Sequence, residues 1–401
     1  MRLKKKIAVA LCAAMLITLL AGCGEPGGWY MDSNGGQTTG EPTPADTSSS
    51  PSLSPSPTTS ALTGNSDFYM LEDIDFDAAF NAFPPDTVMI KADDYTITWE
   101  ELFFHLRGAL NYIYSMFGAL PNLSGTFSDG ATYADNIMAY AIDNALLYRG
   151  LEHGAKINGI ELDENDLVLI NIDFDNIVAI YGGEDSLLQI LWESDGIKRL
   201  ELFHYLYTIG YLSNAAFNRI YGEGGSFMTD VEVAELTVDD GFLMAKHILR
   251  LKTEEDSETP LSASEDILNM LNAYNGDDFS GYFDELMHEH SEDGGLERFP
   301  DGYLFQNGDM MQEFYDACIA LDIGGHSGIV ETTYGYHIIH RISINYDSVP
   351  SSYAINNDMR SLREIIAMSL FDEELYDWID LLTVEYTAAF DAIDIPLLFG
   401  I

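Results

Sequence analysis

The sequence predicts an α+β protein with a mainly helical N-terminal body, and three observations carry that expectation. Apolar residues recur at helical spacing over long stretches between residues 68 and 235. Two short apolar runs of strand character, MAKHILRL at Met244–Leu251 and YGYHIIHRI at Tyr334–Ile342, bracket a region with further helical patterning. A last helical stretch follows within residues 345–401. A chain of 401 residues that is 47% hydrophobic suits two or more folded units better than one small domain.

The N-terminus reads as an export signal. Arg2, Lys4, Lys5 and Lys6 precede an apolar run, Ile7–Leu20. That run suits a signal-peptide core and falls short of the about 20 residues that span a bilayer. It ends in Leu20-Ala21-Gly22-Cys23, which resembles a bacterial lipobox. Residues 1–22 are then a lipoprotein signal peptide, and Cys23 carries the lipid anchor. The alternative is an ordinary signal peptide with an incidental cysteine. Residues 23–67 are rich in Ser, Thr, Pro and Gly and have too few apolar groups to offset the entropy of ordering, so they read as a disordered tether. The chain has three cysteines, of which Cys318 alone lies beyond the leader and its junction, which excludes an intramolecular disulfide in the mature protein. The net charge of −48 repels nucleic acid and anionic headgroups. The sequence predicts no nucleic-acid partner.

The folded part opens with a short strand at Val88–Ile90 and a turn at Asp93-Asp94. Thr98 and Glu101 have the spacing of a capping box, as do Thr229 and Glu232. Trp99, Leu102, Phe103, Leu106, Leu110, Ile113 and Phe117 trace one helical face. Further helices are expected over 132–153, 163–180, 184–194 and 195–221. The aromatic residues along them form either a core or an apolar cradle for unfolded chains. His105, His153 and His204 are isolated and show no metal-ligand spacing; no metal and no other cofactor is expected.

The next segment holds the chemistry. Helices are expected at 262–275 and 279–289, and Met310, Phe314, Ala317 and Leu321 fall on one helical face that Gly324-Gly325 ends. SGIVET and YGYHIIHRI read as a closing hairpin. A histidine sits inside each apolar strand, His247 and His337. Periodicity alone leaves them equally well explained as two independent core histidines.

In order along the chain, these pieces resemble the parvulin family of peptidyl-prolyl isomerases. The motifs are A-x-H-I-L at Ala245–Leu249, S-x-D at Ser291–Asp293, F-x-x-G-x-M-x-x-x-F at Phe305–Phe314, S-G-x-V at Ser327–Val330 and Y-G-Y-H-I-I at Tyr334–Ile339. The resemblance implies a parvulin domain over 242–344, a four-stranded antiparallel sheet surrounded by helices. It implies that His247 and His337 face each other beneath the active site and that Asp293 stands beside the prolyl bond. Thr332 supplies a hydroxyl near the histidine pair, and Met310, Phe314 and Phe305 contact the substrate proline. There are departures. The family's G-D-L-G reads Pro300-Asp301-Gly302-Tyr303, so Gly302 replaces a leucine that lines the pocket in many relatives, which leaves the depth of the pocket open but not its existence. Cys318 falls on the pocket helix as a small core residue. The loop Thr253–Glu258 is acidic and would repel a phosphorylated substrate.

The lipobox, helical body and helical tail also resemble extracellular foldase lipoproteins. That resemblance implies a helical chaperone-like domain, 68–235, which the isomerase domain follows or interrupts. The tail, 345–401, with an amphipathic helix over 356–380, would pack back on that domain; the alternative is packing on the isomerase domain itself. The expected function is a peptidyl-prolyl isomerase and foldase outside the cytoplasm, lipid-anchored to the outer face of the cell membrane. Its partners are unfolded or partly folded exported proteins that contain X–Pro bonds. One alternative is a holdase whose isomerase domain is silent. Another is a solute-binding lipoprotein, which would need repeated βα units that the sequence lacks.

Overall fold

The computed structural model describes residues 68–127, 130–253, 257–356 and 358–401. The expected signal peptide, Cys23 and the tether lie outside the described residues, as do Glu254, Glu255 and Asp256 of the acidic loop. The chain runs α1 (Phe76–Phe80), β1 (Val88–Ala92), β2 (Tyr95–Thr98), α2 (Trp99–Phe117), α3 (Tyr133–Ile157), α4 (Glu164–Ile180), α5 (Glu184–Asp195), α6 (Leu200–Tyr221) and α7 (Asp230–Leu236). It continues through β3 (Leu243–Leu251), α8 (Glu258–Ala273), α9 (Phe279–His290), β4 (Tyr303–Phe305), α10 (Gln312–Ile319), β5 (His326–Glu331) and β6 (Gly335–Ile342). It ends with α11 (Ser351–Ile355), α12 (Leu362–Asp380), β7 (Val384–Tyr386) and α13 (Ile395–Phe399). Two compact units result: one runs to Ala215 and resumes over Glu374–Ile401, and the other is Ala216–Glu373.

In the first unit, α2 forms because its apolar residues repeat at helical spacing, and it buries them. Trp99, Leu102, Phe103, Leu106 and Leu110 are each fully buried, and the Trp99 indole N–H donates to the Phe80 carbonyl at 2.6 Å. The C-terminal residues Leu382, Ile395, Phe399 and Ile401 enter the same core. β7 completes a three-stranded antiparallel sheet of order β2-β1-β7, with Ile90 opposite Tyr386. The capping box expected at Thr98 and Glu101 does not form: Thr98 makes no side-chain cap. Instead Glu101 is buried and accepts from the Arg149 guanidinium at 2.5 Å. Burial pushes the Glu101 carboxyl up to about 7, against the pull of Arg149. The box at Thr229 and Glu232 does form, with both reciprocal bonds.

The second unit is built on a four-stranded antiparallel sheet of order β4-β3-β6-β5. Because side chains alternate along β3, one central strand feeds different cores. Leu243 and Ala245 pack with Phe305, Phe314, Tyr315, Cys318 and Ile339 under α10. Ile248 joins Ile338, Ile267, Leu271, Phe283 and Leu286 from the α8–α9 side. Met244 and Leu304 meet Leu362 and Ala367 of α12. Arg363 of α12 donates to the Met228 carbonyl at 2.7 Å and pairs with Asp230 and Asp347.

Two expectations of helix extent need correction. Met310 and Leu321 lie outside α10, which starts at Gln312 because Met311 is its extended N-cap and Gly308 turns the chain at φ 98°. The amphipathic tail helix starts at Leu362 rather than 356. Asp358 folds onto the Arg360 guanidinium, and the Ser361 hydroxyl accepts from the Glu364 N–H at 3.2 Å, so the chain turns before it coils.

The C-terminal half of α12 packs within the first unit. A Cβ added at Gly154 of α3 would lie 1.9 Å from the Trp378 ring, so the close approach of these helices requires glycine. We predict that Gly154→Ala lowers the unfolding free energy of this unit by about 1–3 kcal/mol. Denaturant titration followed by tryptophan fluorescence checks this; a wild-type midpoint would refute the packing.

Candidate active site

His247 and His337 are delivered by the two central strands. His247 faces Ile339 across the β3–β6 ladder, so His337 lies two residues along on the same face of the sheet, a diagonal neighbour. Both rings are buried, 8% and 5% exposed, where an unpaired polar atom would be costly. Their Nδ1 atoms meet at 3.0 Å. The rings are 11° from parallel with centroids 5.2 Å apart, the spacing of two imidazoles meeting edge to edge in one plane.

Asp293 comes from the loop after α9. Here the edge of β3 not used by β6 takes up the loop as a further partner. The Leu249 N–H donates to the Ser291 hydroxyl at 3.1 Å, the Glu292 N–H to the Leu249 carbonyl at 2.8 Å, and the Leu251 N–H to the Glu292 carboxylate at 2.8 Å. These bonds set Asp293 beside His247, whose Nε2 lies 3.0 Å from Asp293 Oδ2. At the other end, Thr332 Oγ1 lies 2.9 Å from His337 Nε2 and accepts from the Tyr334 N–H at 3.2 Å. The structure therefore brings Asp293, His247, His337 and Thr332 into one chain of contacts.

Donor and acceptor rules assign the protons. Burial alone would raise the Asp293 carboxyl, but hydrogen bonds from His247 and Tyr303, the charge of His247 when protonated, and the Gly295 N–H hold it at about 2. An ionised carboxylate only accepts, so His247 Nε2 carries a proton and donates. With both rings neutral, His247 Nδ1 is bare and accepts from His337 Nδ1–H. His337 Nε2 is then bare and accepts from the Thr332 hydroxyl. Every link has one donor and one acceptor.

The apolar residues divide. The Phe314 ring stands edge to face on both imidazoles, at 5.3 Å from His247 and 5.5 Å from His337, and on Phe305 at 5.7 Å. Phe305 and Phe314 are 0% and 3% exposed, whereas Met310 is half-buried beside them. Met310 is thus the accessible member of the expected proline wall. Cys318 is fully buried in the same cluster, and burial raises its thiol to about 11, despite nearby Arg341, which leaves it a packing residue.

Gly302 is held by its backbone. Its φ of 105° is a conformation that disfavours side chains, and a Cβ there would lie 2.9 Å from the Ala245 carbonyl of β3. In this chain the backbone at position 302 is turned toward β3, so a side chain fits there only if that backbone changes. Sequence reasoning passed over its neighbour. The Tyr303 hydroxyl donates to Asp293 Oδ2 at 2.6 Å, and its ring stands edge to face on His247 at 5.3 Å. The aromatic residue in the place of the last glycine of G-D-L-G was the available signal.

Burial, together with the neighbouring His247, lowers His337 from 6.5 to about 3, only partly opposed by Asp293. Between these values the unfolded chain binds a proton that the folded one refuses, so stability is present above about 6.5 and is lost as pH falls toward about 3. Asp293 adds a loss between 3.8 and about 2. We predict that the His337 ring resonances, followed by NMR, stay those of a neutral imidazole down to pH 4. Titration near the ordinary histidine value would refute the buried network.

Residues 247–343 match the family described as Rotamase, PPIC-type PPIASE domain. The foldase protein PrsA of Halalkalibacterium halodurans is 43% identical over 96 residues, which are 24% of this chain and 25% of that protein. The match thus spans about a quarter of the length of that relative. Among solved structures, PrsA from Bacillus anthracis aligns at 22% identity over 57% of this chain and 94% of its own, with a TM-score of 0.22. NmPin, the parvulin of Nitrosopumilus maritimus, aligns at 26% identity over 26% of this chain and 97% of its own, with a TM-score of 0.20. The segment that carries the Asp293–His247–His337 chain is a parvulin-type rotamase domain.

Proposed function

We propose that this protein is a peptidyl-prolyl cis–trans isomerase and foldase that acts on exported polypeptides at the outer face of the cell membrane, tethered there through lipid on Cys23. The observation that carries the reading is the unbroken chain from Asp293 through His247 and His337 to Thr332, with Phe314 edge-on to both rings. An X–Pro bond turns over a barrier of roughly 18–20 kcal/mol, set by amide resonance. That resonance places negative charge on the carbonyl oxygen in the planar form and withdraws it in the twisted one. An ionised Asp293 beside the bound carbonyl therefore penalises the planar states more than the twisted state, which lowers the barrier. Met310 and Phe314 hold the pyrrolidine ring. The buried imidazoles fix the carboxylate and transfer no proton to substrate.

The helical unit supports a role in holding unfolded chains. Helix α4 buries only Ile170 and leaves Leu167, Val168, Leu169, Ile172 and Ile180 exposed, an apolar surface unusual for a helix in water. The second reading is a holdase with a silent isomerase domain, and the burial of Phe305 and Phe314 favours it.

A proline-peptide isomerisation assay and proline-limited refolding separate the two. We predict that Met310→Ala and His337→Ala each lower kcat/KM more than about tenfold, roughly 1.4 kcal/mol of transition-state stabilisation. Far-UV circular dichroism should stay that of the folded chain. Activity equal to wild type in both variants would remove the site, and an inactive wild type would leave the holdase.

The anchor is tested separately. A lipid chain gains about 0.8 kcal/mol per buried methylene, so Cys23→Ala should move the protein from the membrane to the soluble fraction. Unchanged membrane partitioning of that variant would exclude the lipid anchor.

A further inference from the structure

Tyr303 is a half-buried aromatic residue at the start of β4, where the motif pattern carries glycine. Three features show that the site is shaped around it. Its hydroxyl donates at 2.6 Å to Asp293 Oδ2, the same oxygen that accepts from His247 Nε2. Its ring is wedged between His247, at 5.3 Å and 79°, and Phe299, at 4.6 Å and 38°. Gly295 clears the space for the phenol: a Cβ at that position would lie 2.0 Å from the hydroxyl oxygen. Asp293 Oδ1 is occupied separately by the Gly295 N–H at 3.1 Å. The groups that face the carboxylate are then His247 from β3, Tyr303 from β4 and the Gly295 amide from its own loop, with His337 of β6 behind His247. Among the described residues no lysine or arginine forms an ion pair with it.

We infer that Tyr303 is a positioning residue of the isomerase site, whose hydroxyl pins Asp293 and so fixes the direction in which protons point along the Asp293–His247–His337–Thr332 chain. The inference rests on the proposed isomerase reading of the site. A phenol donating to a carboxylate makes a charge-assisted bond, stronger than a neutral one. While it is in place, the carboxylate has two side-chain donors on one oxygen and no call to take a proton of its own. His247 Nε2 must then donate, and each later link follows in one sense. Without the phenol, Asp293 takes up its proton at a higher pH, and below that pH it donates to His247 Nε2 instead. His247 Nδ1–H then donates to His337 Nδ1, and His337 Nε2–H to the Thr332 oxygen. Below that raised midpoint both imidazoles change tautomer, and the carboxylate charge that penalises the planar amide is gone.

Tyr303→Phe in the full chain tests this, because it keeps the ring contacts and removes only the hydroxyl. Two readouts are taken on wild type and variant: the NMR titration of the Asp293 carboxyl carbon, and the pH profile of kcat/KM on a proline peptide. The expected result is that the Asp293 midpoint and the acidic limb of the profile move upward together by about one to two pH units, the scale of one lost hydrogen bond to a charged group. An Asp293 midpoint that stays at its wild-type position overturns the inference, even if the variant is less stable. A wild type without isomerase activity overturns the functional reading instead, and the carboxyl titration still decides the role of Tyr303. Tyr303→Ala, which removes the ring as well, should move the midpoint at least as far; a midpoint moved by Tyr303→Ala and not by Tyr303→Phe would place the effect in the ring and also overturn the inference.

Discussion

The contact between His247 Nδ1 and His337 Nδ1 is the constraint on which the isomerase unit turns. Two imidazoles can share one proton across a sheet only if their strands are in a single register. A slip of one residue in the β3–β6 ladder would move one ring to the opposite face, into the apolar cluster of Ile248, Ile338 and Phe283. The two faces therefore protect each other. Hydrophobic packing against α8 and α9 holds the register, and the register makes the polar chain possible. The polar chain is tolerable in a buried place because none of its links lacks a partner.

Much of this was legible in the sequence, for identifiable reasons. The α2 face from Trp99 to Leu110 was visible because helical periodicity and burial coincide there. The two central strands of the second unit were visible because they are short apolar runs, in which the two histidines stood out as polar interruptions, whereas the four-stranded sheet was implied only by the family resemblance and β4 carried no signal of its own. The capping box at Thr98 and Glu101 was misread because a distant partner, Arg149, competes for the same carboxylate, and a local motif carries no trace of that partner. Met310 was assigned to a helix because its spacing to Phe314 is helical, although Gly308 and the extended Met311 delay the helix until Gln312.

The Gly302-Tyr303 pair shows a subtler limit. Read as a string, it showed one lost leucine, and the tyrosine beside it drew no reading. In space the two changes belong together. Gly302 adopts a backbone angle that brings the chain close to the Ala245 carbonyl, and Tyr303 follows it directly onto Asp293. Neither half is interpretable alone, because a backbone conformation and a hydrogen bond to a loop ten residues earlier have no pattern along the chain.

The three-stranded sheet of the first unit takes its last strand, β7, from beyond the whole of the second unit. Synthesis proceeds from the N-terminus, so the isomerase segment has been made in full before the strand that pairs with Ile90 exists. The interrupted unit must wait with an open edge on β1 while the intervening unit can already condense. The first unit thus completes its sheet only once β7 has been made, although most of its described residues precede the second unit.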